Sequence, residues 1–274
     1  MRFGQVDRWH TLRLHPALER TDHRPWPLPR GRWRWRQSWR DLLFAHWPVA
    51  AARLRPLVPP SVAIQERDGT SWVGVVPFRM QGVMRRPLPD LPGVSAFPEL
   101  NLRLYVEVEG KPGVWFVSLD AANRLAVWGA RRFFHLPYFL ADMDVRDDGQ
   151  RIHYRSVRRN PRPNLLGNAR DSKAPRVAFR AAYAPTSDAF EASAGTIEHF
   201  LTARYCLYTQ TPEGAIIRAN IHHAPWSLQT ATAEIAENTI GHAQGVGLEG
   251  PPVLLHFSRR TDVVVWPLER VGQS

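Results

Sequence analysis

The sequence predicts a mostly β fold, an antiparallel β-barrel with a few short flanking helices. About ten short runs are rich in β-branched and aromatic residues, or alternate apolar with polar residues as strands do. Only two or three segments have helical periodicity, and turn-forming residues separate the runs. Closing such strands into a barrel hides their edges and leaves a cavity at one mouth, where we expect a functional site.

The N-terminal segment differs in composition from the rest of the 274 residues. Residues 1–31 have few periodic apolar positions and include prolines at 25, 27 and 29, so we expect an extended arm there. Residues 32–274 contain no recognisable linker and are predicted to form a single barrel domain.

The net charge of +11 raises the question of a nucleic-acid partner. Residues 1–60 hold 12 arginines and only 4 acidic residues, so the excess is concentrated in one segment rather than spread along a groove. We therefore expect no nucleic-acid partner, and binding of a nucleic acid or an anionic surface through residues 30–40 stays open as an alternative.

One cysteine, Cys206, excludes an internal disulfide and fits a cytoplasmic protein. Its apolar neighbours predict that it is buried rather than nucleophilic. The sequence has no signal-peptide pattern and no apolar run of about 18 residues, so no membrane partner is expected. The oligomeric state is not predicted.

Short elements follow one another along the first half of the chain. Residues 32–36 alternate tryptophan with arginine, which is the period of a half-buried strand. Residues 41–52 are predicted to form a helix or a turn-rich bridge, and the prolines in 55–60 indicate a loop. Strands are then expected at residues 71–80, 100–109 and 113–119.

A helix is predicted directly after the third of these strands. Asp120 is of a residue type that caps helix N-termini, and the helix is expected to begin at Ala121. Leu125 and Trp128 recur at helical spacing, and Pro137 ends the helix.

The second half is predicted to contain more hairpins. Residues 143–157 surround an Asp-Gly pair, which readily adopts the positive φ angles of tight turns. A longer loop that is rich in arginine, asparagine and proline is a candidate lid. The elements expected are the hairpin at 143–157, the loop at 158–175, a strand at 177–183, a helix at 196–203, a hairpin at 204–222 and a last strand pair at 253–258 and 262–266.

One predicted strand carries a row of polar side chains. Glu99, Asn101 and Arg103 alternate with leucines, so the polar and apolar sets lie on opposite faces. The polar face is predicted either to contact water or to line the cavity, where it would hold an anionic or carbonyl ligand.

Further polar groups lie around the predicted helix. Asn123 and Arg124 join Asp120 at its start, where free N–H groups suit a carboxylate or phosphate. At its far end, His135 and Tyr138 are candidates for acid and base.

No metal or cofactor is expected from the sequence motifs. The adjacent His222 and His223 point to opposite faces of a strand, so only one of them reaches a given site. The sequence also lacks HExxH and CxxC spacings, a P-loop and a GxSxG elbow, which disfavours metalloenzyme, P-loop NTPase and serine hydrolase functions.

Several longer segments carry a family resemblance. They are RQSWRDLLFAHWPV (36–49), WVGVVPFRMQGV (72–83), GVSAFPELNLRLYV (93–106), GVWFVSLDAANRLAVWGARRFFHLPYF (113–139), IEHFLTARYCLYT (197–209), IHHAPWSLQ (221–229) and RTDVVVWPLERV (260–271). Together they resemble the bacterial YqjF-like family, a domain family of unknown function, over roughly residues 24–271. The resemblance implies the fold of acetoacetate decarboxylase, a cone-shaped antiparallel barrel with a pocket inside.

The resemblance also implies which chemistry is lost. Acetoacetate decarboxylase forms a Schiff base on a lysine of a Pro-Lys-Lys turn after the helix. In the similar turn of this sequence, Tyr138 and Phe139 follow Pro137, and neither side chain forms an imine. A glutamate of the decarboxylase pocket matches Glu99 best, with Asn101 as the alternative.

The predicted function is binding of a small molecule that bears a carboxylate or carbonyl group. Two alternatives stay open: a lyase- or hydrolase-like enzyme, and a non-catalytic binder with an apolar cavity. The candidate catalytic residues are Glu99, His135 and Tyr138, and the candidate ligand-binding residues are Asn101, Arg103, Asp120, Asn123 and Arg124.

Overall fold

The computed structural model describes residues 15–90, 93–160 and 176–272. Within these ranges it has twelve strands and three short α-helices. The strands are β1 (Trp35–Val49), β2 (Ala63–Ile64), β3 (Ser71–Arg85), β4 (Phe97–Val108), β5 (Lys111–Ala121), β6 (Tyr138–Asp147), β7 (Ile152–Arg158), β8 (Ala178–Pro185), β9 (Cys206–Gln210), β10 (Ile216–His223), β11 (Gln229–Asn238) and β12 (Leu254–Val271). The helices are α1 (Ala51–Leu54), α2 (Arg124–Phe134) and α3 (Ile197–Thr202).

Seven of the described strands close into a barrel. Following the hydrogen-bonded pairs, β12, β1, β3, β4, β5, β9 and β10 lead back to β12. The remaining long strands, β6, β7, β8 and β11, continue the sheet from β5 round to β12. Most pairs are antiparallel, but β5 pairs in parallel with both β6 and β9. The predicted mostly β fold is therefore confirmed, as a mixed sheet forming a ring.

The strands that belong both to the seven-stranded barrel and to the wider ring of the sheet are buried on both faces. On one face of β4, Leu100, Leu102 and Leu104 pack in a core with Tyr154 of β7 and Phe179 of β8. The opposite face of the shared strands belongs to a second apolar cluster around the inside of the seven-stranded barrel. Alternation along the strands thus separates a solid core from the wall of a cavity.

The prediction of a helix or bridge at 41–52 is wrong, because β1 runs through most of this segment. Leu42 and Phe44 face the second cluster, and Leu43 faces the first core. A strand that is buried on both faces has a continuous apolar run, which periodicity alone cannot distinguish from a helix. Asp41 has a φ of 51° and lies where the register between β1 and β3 shifts, so the strand continues through a bulge.

The last predicted strand pair is also a single strand. Residues 253–266 do not turn back, because β12 continues from Leu254 to Val271. Arg259, which lies between the two predicted strands, is exposed on this strand and forms ion pairs with Asp41 and Asp147. The strand β11 is absent from the prediction, because its alanine and glutamate side chains have weak strand preference.

The helix α2 begins later than the sequence predicts. Asn123, rather than Asp120, is its N-cap, and Asn123 Oδ1 accepts a hydrogen bond from the N–H of Ala126 at 3.0 Å. The strand β5 runs on to Ala121, so Asp120 is still part of the sheet. The helix ends at His135, which has a left-handed φ of 54°, two residues before Pro137.

The described part of the N-terminal segment packs on the outside of the barrel. Arg24 is buried, and its Nη1 donates to the carbonyl of Ile221 at 2.7 Å. Trp266 Nε1 donates to the carbonyl of Gly31 at 3.2 Å. Residues 15–31 are thus held against β10 and β12, and the domain boundary at residue 31 stays a prediction. Most of the predicted lid at 158–175 lies outside the described residues.

Candidate functional site

The inside of the seven-stranded barrel holds a cavity of about 520 Å³. Each strand of this barrel contributes a side chain to its wall, and most of these side chains are apolar. The side chains on the wall, one from each strand, include Trp39, Phe78, Glu99, Leu119, Leu207, Ile221 and Val265. A volume of this size is within the range of roughly 300 to 1,000 Å³ that is typical of small-molecule sites.

The polar row of β4 faces this cavity. Glu99, Asn101 and Arg103 line it, while the intervening leucines face the solid core. All three polar side chains are buried. Of the two orientations that the sequence leaves open, the structure has the one that turns the polar face inward.

Glu99 and Tyr138 form a buried pair on the wall. Tyr138 begins β6, and its hydroxyl donates to Glu99 Oε2 at 2.8 Å. Burial raises the pKa of Glu99 to about 8, and the hydrogen bonds from Tyr138 and Asn101 only partly oppose this shift. Burial also raises the pKa of Tyr138, and the Glu99 carboxylate adds to that shift. At neutral pH the pair is therefore mostly protonated and mostly uncharged.

Asn101 has an unused acceptor. Its Oδ1 is buried and has no hydrogen-bond partner within the described part of the chain. A buried amide oxygen without a partner is costly, and a donor on a bound molecule would satisfy it.

Arg103 is a buried cation at the far end of the same row. Its side chain donates to the Tyr105 hydroxyl from Nε at 3.3 Å and from Nη2 at 3.2 Å, and Nη2 also donates to the Leu201 carbonyl at 3.2 Å. None of these described contacts is an ion pair. The Tyr105 hydroxyl in turn lies 2.5 Å from Nε2 of His46, whose pKa burial holds well below its ordinary value. The network orients Arg103 and supplies no negative charge.

Arg204 brings a second cation to this end of the cavity. Its Nε donates to the Phe200 carbonyl at 2.6 Å, and its Nη1 donates to the side chain of Gln65. Burial lowers the pKa of Arg204 to about 10, and the nearby Arg103 adds to the shift. His223 lines the cavity here as well, and burial lowers its pKa to about 3, so its ring is neutral.

The opposite end of the cavity opens beside α2. Three side chains of this helix line the opening and are well exposed, namely Leu125 at 62%, Trp128 at 51% and Phe133 at 56%. The N-cap Asn123 donates to the carbonyl of Gly93, which places the start of β4 next to the helix. Glu99 therefore lies nearer the mouth than Arg103, by about 13 Å at roughly 3.3 Å per strand residue.

Four of the sequence-predicted site residues do not line the cavity. Asp120 faces the solid core and pairs with Arg158, with 2.7 Å between Oδ1 and Nε. Asn123 caps α2, and Arg124 is exposed in its first turn. His135 ends the same helix, and its carbonyl accepts a hydrogen bond from Thr209 Oγ1 at 2.7 Å. The polar groups expected at the start of α2 do not meet on the cavity wall, because the helix starts three residues later than predicted.

Sequence reasoning did not identify Arg204, Gln37 or Trp226 as cavity residues. Gln37 continues the alternation of Trp35 and Trp39. A predicted strand that extends past residue 36 therefore places Gln37 on the same face as these tryptophans. Arg204 precedes its strand and has no period-two signal, so only the fold brings it to the cavity.

Lys111 and Cys206 lie away from the described cavity wall. Lys111 begins β5 at the opposite end from the mouth, and Lys173 is outside the described residues. Cys206 is fully buried, and burial raises the pKa of its thiol to about 11. Within the described ranges, no three histidine, cysteine, aspartate or glutamate side chains are grouped as a metal site requires. None of the helices in those ranges is long and apolar enough to cross a membrane.

Sequence comparisons relate the chain to one family. The profile of DUF2071, described as an uncharacterized conserved protein, matches residues 36–262. The chain is also 45% identical over 252 residues to the uncharacterized protein YqjF of Bacillus subtilis (strain 168). That alignment covers 92% of this chain and 98% of the relative.

Structural comparisons relate the fold to two kinds of solved protein. Acetoacetate decarboxylase from Legionella pneumophila subsp. pneumophila str. Philadelphia 1 has a TM-score of 0.56 at 11% identity, covering 95% of this chain and 97% of that one. The enduracididine biosynthesis enzyme MppR, complexed with the condensation product of pyruvate and imidazole 4-carboxaldehyde, has a TM-score of 0.61 at 12% identity, covering 88% and 90%. The predicted likeness to the acetoacetate decarboxylase fold is confirmed.

Proposed function

Because the chain belongs to the DUF2071 family and shares its fold with acetoacetate decarboxylases, we propose that its barrel cavity binds a small organic acid. The carboxylate of the ligand contacts Arg103, and the Asn101 amide and the Glu99–Tyr138 pair contact the rest of the molecule. No Schiff-base lysine takes part.

The observation that carries this proposal is the environment of Arg103. The side chain is 8% exposed, lines the cavity and has no carboxylate partner among its described contacts. A buried cation without a counter-ion is costly, since burial removes the hydration of its charge. Glu99 does not supply the missing charge, because its raised pKa keeps it protonated at neutral pH. An anionic ligand supplies it, and arginine offers a carboxylate two parallel hydrogen bonds.

The structural relatives agree with this ligand class. One is a decarboxylase of acetoacetate, and the other is an enzyme complexed with a product of pyruvate. Acetoacetate and pyruvate, the molecules in these two descriptions, are both small keto acids. The shared fold supports the position of the site, and the arginine supports the charge of the ligand.

Replacing Arg103 with glutamine is expected to weaken acid binding by about 10- to 100-fold, because a hydrogen bond to a charged group contributes roughly 1.5 to 3 kcal/mol. Isothermal titration calorimetry with acetoacetate, levulinate and butyrate measures the change. Arg270→Gln is the matched control, since it removes the same charge from an exposed position of β12 outside the cavity wall. Equal affinities of both variants and the wild type for all three acids would show that Arg103 is not the carboxylate site.

A second function, acid–base catalysis, is favoured by the Glu99–Tyr138 pair. A carboxyl group with a pKa near the working pH is suited to remove a proton from carbon and return it. When a ligand carbonyl lies near Tyr138, ionised Glu99 takes a proton from the adjacent carbon. The electron pair of that C–H bond forms a double bond to the carbonyl carbon, and the π pair of the carbonyl group moves to its oxygen, which Tyr138 stabilises by donating a hydrogen bond. His135 has no part in this scheme, because its ring is outside the cavity wall.

This second function predicts hydrogen–deuterium exchange at the carbon next to a ligand carbonyl. In D₂O at pD near 8, the wild type is expected to accelerate exchange of the protons beside the carbonyl of 9-oxodecanoate, as measured by proton NMR. This keto acid carries its carbonyl far enough from its carboxylate to reach Glu99 while the carboxylate contacts Arg103. Glu99→Gln is expected to lose about 100-fold of this acceleration, because glutamine cannot accept the proton. Tyr138→Phe keeps the base and is expected to lose less. If the wild type exchanges no faster than free 9-oxodecanoate in buffer, the protein is a binder and not an acid–base catalyst.

A further inference from the structure

We propose that the natural ligand is an amphiphile, an acid with a long apolar tail, whose head lies at Arg103 and Arg204 and whose tail runs along the cavity to the mouth beside α2. This inference rests on the proposed function and adds the class of acid. A short keto acid such as acetoacetate would leave most of this cavity unfilled.

The first observation is the distribution of polarity along the cavity. Arg103 and Arg204 lie together at the buried end, whereas the wall towards the mouth is formed largely by aromatic and aliphatic side chains, with the exposed Arg85 over the ring of Trp35. Trp39, Phe78 and Phe97 are examples from three segments of the wall. Such a surface stabilises a hydrocarbon chain and cannot satisfy the hydrogen bonds of a polar one.

The second observation is the state of the one carboxyl group along this path. Glu99 lies between the arginines and the mouth, and its hydrogen bond to Tyr138 is made within the wall. A neutral, internally bonded carboxyl group next to a tail costs little, whereas an ionised one would lose its hydration beside the tail and would repel the acidic head. The wall at Glu99 is therefore compatible with an apolar chain.

The third observation is the mouth itself. Leu125, Trp128 and Phe133 are more than half exposed, and a row of large apolar side chains in water is unusual unless something covers it. All three side chains line the opening of the cavity. A tail that reaches the opening packs against these three side chains, while the acidic head stays at Arg103 and Arg204.

The test is a chain-length series combined with head and tail variants. Titration calorimetry with butyrate, hexanoate, octanoate and decanoate is expected to show an affinity that rises about fourfold per methylene group, the equivalent of about 0.8 kcal/mol. Trp128→Ala is expected to weaken decanoate severalfold and butyrate by no measurable amount. Arg103→Gln is expected to weaken both acids by the same factor. Val253→Ala, an exposed apolar residue outside the cavity wall, serves as the control and is expected to change neither.

The outcomes separate this inference from the proposed function. A flat series, with butyrate and decanoate bound equally and both weakened by Arg103→Gln, would overturn the amphiphile and leave the acid site intact. Binding of decanol as tight as that of decanoate would overturn the assignment of the head to the arginines. If none of the acids binds, the proposed function itself is wrong. An equal effect of Trp128→Ala on every chain length would show that the mouth does not contact the tail.

Discussion

Replacing Asp120 with asparagine is expected to lower the free energy of unfolding by about 3 to 5 kcal/mol, because it leaves a buried arginine without its counter-ion. Asp120 and Arg158 are each 1% exposed at the side chain and lie 2.7 Å apart. Ser156 donates to the same carboxylate at 3.2 Å, and Arg158 also donates to Ser118. Asparagine keeps the shape of the side chain and removes the charge, so the loss reports on electrostatics. Urea unfolding monitored by circular dichroism measures it.

Two further variants control this result. The double variant D120L/R158L replaces the pair by apolar groups and is expected to recover most of the lost stability, because no charge is then left buried. Glu249→Gln removes one partner of an exposed pair with Arg53 and is expected to cost less than about 1 kcal/mol. If the double variant is as unstable as Asp120→Asn, the cost comes from packing and not from the unpaired arginine.

The fold class was predictable because most strands have at least one clear sequence pattern that is typical of β-strands. The hairpin around the Asp-Gly turn, the pair formed by β9 and β10, and the family resemblance are all confirmed. The errors at β1 and β12 have different physical causes. Burial on both faces removes from β1 the alternation that identifies a strand, whereas in β12 the exposed Arg259 and Arg260 interrupt the apolar run.

The site was predictable where it depends on alternation within one strand, and not where it depends on distant elements. Predicting the polar row of Glu99, Asn101 and Arg103 requires only the two-residue period of a strand and the choice of which face points into the cavity. Asp120 has the residue type of a helix cap, and sequence offers no means of knowing that Arg158 lies opposite it in the sheet. Arg204 reaches the cavity through the ring closure alone.

The contribution of Glu99 to the stability of the protein is expected to fall as the pH rises from about 4.5 to about 8, in a way that Glu99→Gln abolishes. The pKa of Glu99 is about 8 in the folded protein, against 4.5 for the ordinary side chain that the unfolded chain contains. Between these values the folded state binds a proton that the unfolded state has lost. Each pH unit therefore costs about 1.4 kcal/mol, and the whole window on the order of 5 kcal/mol. Below pH 4.5 the contribution is fully present, and above pH 8 no more is lost.

The measurement compares the wild type with Glu99→Gln, because the difference cancels the titration of other groups. His222 and His223 have lowered pKa values and make stability rise with pH in the acidic range, in the opposite direction to Glu99. Between pH 5.5 and 7.5, the unfolding free energy of the wild type is expected to fall relative to the variant by about 2 kcal/mol. Tyr138→Phe removes a hydrogen bond that lowers the pKa of Glu99, so its decline is expected to extend to higher pH. A constant difference between wild type and Glu99→Gln would mean that Glu99 is ionised throughout, and a carboxylate facing the cavity would then repel the acid that Arg103 attracts.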